Sequence, residues 1–426
     1  MSQPRGNMRQ FCLTFLFLAA GVGWSQTYVN PLTGSTSTPD PSIIKQGNTY
    51  YIFHTGNGVQ IKTSTDRITW SNGNPASAIS TAPSWHATYV SPAPASQWAP
   101  AIHYRAGKYW LYYAISSFGT RTSAIGLRTN VTLNPSDANY AWQDQGMVVC
   151  TSNQTSRTDC FYANTTSVNA DDTTAFNAID PHVFVDGDGT PWLSWGSFGS
   201  GIQLIRLDPV TGKPAAGAKY ITIAHRYYPQ AVDGSNYTRS IEGPMISKHG
   251  PWYYLWFSYD RCCNSSNSTY KVMVARAPLV TGPYADKSGN PMHPPYYAAG
   301  SNTTWVTANA GTLVSAGDTR WKGTGHNDIL VDNDTVFLVN HSYDAQNGGA
   351  TRLMIRPLYW DAQGWPSLDP AQGTIKFPTV VLQEVRFSHR APVKAVWKNG
   401  VLVPWRGGTK NALGRNVRTG IPPARK

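Results

Sequence analysis

The sequence predicts an all-β protein: a five-bladed β-propeller with a short C-terminal extension. Three observations carry that expectation. A Pro- or Gly-marked phrase recurs five times, as Asp40-Pro41-Ser42-Ile43-Ile44, Ala99-Pro100-Ala101-Ile102-His103, Asp180-Pro181-His182-Val183-Phe184, Glu242-Gly243-Pro244-Met245-Ile246 and His326-Asn327-Asp328-Ile329-Leu330. An aromatic or β-branched strand follows each phrase, and the spacing of about 60 to 84 residues suits the blades of a radial repeat. No long apolar stripe of helical period is present, so helices should be few and short. A β-sandwich would also show many short strands, but it gives no reason for an acid-Pro phrase to recur.

Each repeat breaks into recognisable pieces. The first strand starts at the phrase, and a turn follows at Gly47-Asn48, Ala106-Gly107, Asp186-Gly187-Asp188-Gly189, His249-Gly250-Pro251 or Asp332-Asn333-Asp334. Second strands are expected at residues 50–53, 109–113, 192–195, 252–257 and 336–339, and third strands at 59–62, 123–127, 202–205, 270–274 and 352–355. A fourth, outer strand is legible only as Pro357-Leu358-Tyr359-Trp360, with a turn at Gln363-Gly364-Trp365.

The ends differ from this body. Arg5 and Arg9 precede an apolar run from Phe11 to Val22, and Gly23-Trp24-Ser25 offers small residues for cleavage, so residues 1–25 read as a secretory signal. The run is shorter than the roughly 20 residues of a membrane span, and a secreted protein, extracellular or periplasmic, is expected. The propeller should occupy residues 26–378 and a basic extension residues 379–426. In that extension Ala395 to Val403 reads as a hairpin turning at Asn399-Gly400, ahead of a disordered tail.

The 426-residue chain carries a net charge of +12, but ten Lys or Arg and no acid lie in residues 385–426 and two more basic residues lie in the leader. Residues 26–384 are therefore neutral, which gives nucleic-acid binding no electrostatic support. The basic tail suits contact with an anionic polymer, and equally a merely solvated state. Of five cysteines, Cys12 leaves with the leader and Cys150 with Cys160 flanks a polar loop, which suggests a disulfide. Cys262 and Cys263 are neighbours, and their pairing stays open. No Cys/His spacing resembles a zinc site. A monomer is expected.

In a propeller the first-strand starts line the central channel, so Asp40, Asp180 and Glu242 should converge at one mouth. Glycoside hydrolysis needs one carboxylic acid to protonate the leaving oxygen and one carboxylate to activate water or attack. A third acid nearby raises its neighbour's pKa and keeps the donor protonated.

Taken in order, Asp40-Pro41-Ser42-Ile43-Ile44, Trp98-Ala99-Pro100, Asn177-Ala178-Ile179-Asp180-Pro181, Trp195-Gly196-Ser197-Phe198, Ile241-Glu242-Gly243-Pro244, Cys262-Cys263 with Tyr270-Lys271, and Gly325-His326-Asn327 resemble glycoside hydrolase family 43, and within it the endo-1,5-α-L-arabinanases. The likeness runs from about residue 28 to residue 368. It implies inverting hydrolysis of arabinan, with Asp40 as general base, Glu242 as general acid, and Asp180 tuning the acid's pKa and orienting substrate. Inversion would set the carboxyls of Asp40 and Glu242 roughly 6.5–9.5 Å apart. His326 corresponds to a channel histidine that helps hold a calcium ion through water; no organic cofactor is implied. Trp98 and Phe118 match sugar-contacting positions, and Phe198, Asn177 and Ser197 are further substrate-binding candidates. One departure is Ala101, where the family phrase usually continues with Asp. An exo-acting α-L-arabinofuranosidase or β-xylosidase, or a non-catalytic sugar-binding propeller, is the alternative.

Overall fold

The structure, a computed structural model, describes residues 28–152, 157–162, 176–226, 240–293, 310–377, 395–398 and 401–404. The expected leader and the tail beyond residue 404 lie outside them. Five sheets of five, six, four, four and three strands follow one another along the chain. Their inner strands are Ser42–Gln46, Ser96–Arg105, His182–Val185, Ile241–His249 and Trp321–Asp332. Each inner strand touches the inner strand of the next blade, all the way round from the first to the fifth and back to the first. Each pairs antiparallel with the strand that follows it, at the turns read from the sequence. The one α-helix among the described residues, Trp85–Tyr89, is five residues long.

The outer strands correct the sequence reading. Fourth strands form at Thr69–Ser77, Gln143–Ser152, Ile221–Ala224 and Thr312–Ser315, where no clear alternation announces them. Tyr359–Trp360, expected as the outer strand of the fifth blade, instead pairs with Pro366–Ser367 in a separate two-stranded ladder. The C-terminal hairpin forms as Ala395–Lys398 against Val401–Pro404.

Alternation along each strand puts apolar side chains on both faces of a blade, so every blade packs against two neighbours. The core accordingly divides into five seams. Phe53 and Tyr113 share one buried cluster between blades 1 and 2, Leu127 and Trp195 one between 2 and 3, Leu204 and Phe257 one between 3 and 4, Trp256 and Leu338 one between 4 and 5, and Ile52 and Leu353 one between 5 and 1. The chain's N-terminal segment closes the ring. Thr36 accepts from the Leu353 N–H at 2.7 Å and Asn30 donates to the Leu353 carbonyl at 2.8 Å, so residues before blade 1 line the free edge of blade 5.

A buried carboxyl holds the closing seam as well. Asp328 of blade 5 accepts from Ser42 Oγ at 2.8 Å and from the Ile43 and Ile329 N–H groups at 2.8 and 2.7 Å. Asp328→Ala would leave these donors buried without partners, at about 2–4 kcal/mol. A lowered thermal midpoint by calorimetry is expected; an unchanged one would show that the seam does not depend on this residue.

Candidate active site

The channel end of the inner strand has the same backbone in all five blades. Asp40 (φ 51°), Ala99 (φ 41°), Asp180 (φ 57°), Gly243 (φ 59°) and His326 (φ 47°) all take the left-handed conformation. The matching position in blade 4 is therefore Gly243, and Glu242 stands one residue ahead of the position expected for it. An L-residue there costs about 1–2 kcal/mol. Asp, His and Gly are the types that tolerate it best, which leaves Ala99 as the exception. The ladder slips at this point between Trp98 and Ala101, Glu242 and Met245, and Gly325 and Asp328. Such bulges re-aim the side chains around them.

In four of the five blades the amide of the left-handed residue reaches across the seam to the preceding blade. The Ala99 N–H donates to Thr55 Oγ1 (2.8 Å), Gly243 to Asp180 Oδ2 (3.0 Å), His326 to Ser258 Oγ (2.9 Å) and Asp40 to His341 Nδ1 (3.1 Å). Backbone geometry and site geometry are thus the same feature.

These ends surround a cavity of about 460 Å³. Asp40, Trp98, Phe118, Asn177, Asp180, Ser197, Phe198, Glu242 and His326 all line it, so every residue singled out in the sequence reaches one place. Their situations differ. Phe118 is 77% exposed at the rim, whereas Phe198 is only 6% exposed and Asn177 is tied up by Ser123 Oγ at 2.6 Å. Ser197 Oγ donates to Glu242 Oε2 at 2.6 Å. Ala101 is buried one step below the mouth, opposite Tyr112.

The acids are shifted in opposite directions. Burial pushes the Asp40 carboxyl up, but His326, His341, the Thr55 hydroxyl and His54 outweigh it and leave it below the usual carboxylate range. Asp180 lies well above that range, through burial first and then the charges of Glu242 and Asp40, against the Gly243 N–H. Glu242 is raised too, by burial, which outweighs its bonds from Ser197 and Tyr270; the charge of Asp40 adds to the rise. Burial, more than the charge of a third acid, is thus the leading cause. The Asp180–Glu242 pair holds a proton that neither releases at the ordinary carboxyl pH.

Thr55, Tyr270 and His341 were not assigned roles from sequence. Thr55 and His341 sit on or just beyond second strands with nothing local to mark them, and Tyr270, part of a quoted motif, stands just before a third strand. Cys262 and Cys263 are joined to each other and line the cavity, and Cys150 is joined to Cys160. Among the described residues no three His, Cys, Asp or Glu side chains converge as a metal cage. His326 brings one imidazole, and the buried Asn327 beside it has a side-chain amide without a partner among the described residues. This donor set fits a cation held chiefly by water and does not fit one held by protein ligands alone.

Comparison with known proteins agrees with this geometry. The model of the glycosyl hydrolases family 43 matches residues 28–366. The chain is 38% identical over 332 residues to an extracellular endo-alpha-(1->5)-L-arabinanase of Bacillus subtilis, covering 77% of this chain and 86% of that one. It is 36% identical over 332 residues to an extracellular exo-alpha-(1->5)-L-arabinofuranosidase of Cellvibrio japonicus, covering 78% and 86%. Among solved structures, an endo-arabinanase of Bacillus licheniformis matches with a TM-score of 0.63 and 40% identity, over 80% of this chain and 100% of that one. An alpha-L-arabinanase of Cellvibrio cellulosa, complexed with arabinohexaose, matches with 0.65 and 34%, over 79% and 96%. The chain is a glycoside hydrolase and belongs to the glycosyl hydrolases of family 43.

Proposed function

We propose that the protein is an exported arabinanase that cuts internal α-1,5-L-arabinofuranosidic bonds of arabinan with inversion. The observation that carries this reading is the convergence of Asp40, Asp180 and Glu242 on one cavity, with Asp40 shifted below the usual carboxylate range and the Asp180–Glu242 pair above it. In this reading Asp40 is the general base and takes a proton from water as the water oxygen bonds to the anomeric carbon. Glu242 is the general acid and gives its proton to the glycosidic oxygen as that bond breaks. Asp180, hydrogen-bonded to the peptide after Glu242, keeps the shared proton available and orients the sugar.

Endo action is supported by Phe118, whose exposed ring extends an apolar surface past the cavity, and by the endo-acting relatives. Exo action is the second reading, favoured by the relative named for it. Residues 26–378 are read as the catalytic unit and the basic extension as a contact for anionic pectin. The leader, two disulfides and relatives named extracellular support export. His326 would be the protein ligand of a water-held calcium in the channel, whose charge would favour the ionised form of Asp40.

Proton NMR of early products from linear arabinan tests bond choice and stereochemistry together. Oligomers that first appear as the β-anomer are expected; arabinose alone would exclude endo action, and an initial α-anomer would exclude inversion. Asp40→Asn and Glu242→Gln should each lower kcat by about 10²–10⁴-fold with arabinan binding retained by calorimetry; near-parental rates in either would remove that residue from the chemistry.

The alkaline limb of the pH–rate profile reports loss of the shared proton. Because Asp180 and Glu242 are both raised, activity should persist above the ordinary carboxyl range and fall as pH rises through the pair's upper value. Asp180→Asn removes a neighbouring negative charge and should move that limb to lower pH. A limb that stays in place would show that Asp180 does not tune the donor.

A further inference from the structure

Thr55 follows the second strand of blade 1. Its N–H donates to the Pro39 carbonyl at 3.0 Å, which ties it to the residue before Asp40. Its hydroxyl accepts from the Ala99 N–H at 2.8 Å and lies 2.5 Å from Asp40 Oδ2. A peptide N–H can only donate and a carboxylate can only accept, so the single hydroxyl proton is committed to Oδ2. The Ala99 amide is free for this task because the left-handed turn at Ala99 points it across the seam.

Among the described residues, Oδ2 of Asp40 is therefore engaged in a hydrogen bond and Oδ1 is not. His326 Nδ1 lies 3.5 Å and His341 Nδ1 3.6 Å from Oδ1. Both exceed the length of a good hydrogen bond, and His341 Nδ1 already accepts from the Asp40 N–H.

We propose that Thr55 is a positioning residue for the hydrolysis: it locks Oδ2 and so selects Oδ1 of Asp40 as the oxygen that takes the proton from the attacking water. The inference rests on the reading of Asp40 as base. In the step itself, water's proton goes to Oδ1 while water's oxygen bonds to the anomeric carbon. The bond from that carbon to the leaving oxygen breaks, and the leaving oxygen takes its proton from Glu242. Thr55 lines the same cavity, and in this reading it acts through Asp40: it fixes the plane of the carboxylate, and an error of about 1 Å in such an aim can cost about 100-fold in rate.

The test uses Thr55→Val, which keeps the shape and removes the hydroxyl, and Thr55→Ser, which keeps the hydroxyl. On linear arabinan, Thr55→Val should lower kcat by about 10- to 100-fold with KM within about 2-fold. Thr55→Ser should recover kcat to within about 3-fold of the parent, since a hydroxyl in the same place restores the bond. If Thr55→Val does not fold, Thr55→Ala carries the same comparison. A parental kcat without the hydroxyl, or a Ser variant as slow as the Val variant at equal thermal stability, overturns the proposal. Asp40→Asn is run beside them: an active Asp40→Asn would overturn the reading of Asp40, whereas an inactive one with a fast Thr55→Val overturns only the role of Thr55.

Discussion

One backbone device organises this protein: a left-handed residue at the channel end of each inner strand, whose amide in four of the five blades bonds to the blade before it. Four of these cross-seam bonds are described, and each ends on a side chain at the cavity or directly behind it. A propeller blade alone has no means of aiming a carboxylate at the hub. The bulge supplies that aim, and the neighbouring blade fixes it. The ring must be closed for this to work, because the position of Asp40 depends on blades 1, 2 and 5 together. The N-terminal strap along blade 5 and the buried Asp328 therefore serve the site as well as the fold.

The same arrangement separates the acids by environment. Asp40 faces three imidazoles and a hydroxyl, which outweigh the cost of burial. Burial pushes His54 and His341 down to about 4, so near neutrality they stand as neutral, polar neighbours. Asp180 and Glu242 are both buried at the same cavity and cannot both ionise cheaply. Two acid environments in one small hollow are what an acid/base hydrolysis requires.

Much of this was legible in the sequence, and the reasons are local. Pro41, Pro100, Pro181 and Pro244 follow a residue that must turn left-handed, so the phrase survives in the sequence as a visible mark. At the left-handed position Asp40, Asp180 and His326 satisfy both backbone and chemistry, which made them stand out. Glu242 escaped the strict register because its own blade gives the left-handed place to Gly243, where an added Cβ would crowd His326 at 3.3 Å. The partners that position these groups were not legible. Thr55, Ser258, Tyr270 and His341 act across seams or across strands, and their meaning depends on which amide points at them. The outer strands were missed for a related reason: they form at blade edges, and edge strands need no strict alternation.

The most direct test of this account is the crystal structure of Glu242→Gln with an arabinan oligomer bound. The account predicts a furanose in the cavity, its glycosidic oxygen beside residue 242 and a water between the anomeric carbon and Oδ1 of Asp40. An oligomer whose anomeric carbon faces away from Asp40, or one that binds outside the channel mouth, would contradict it.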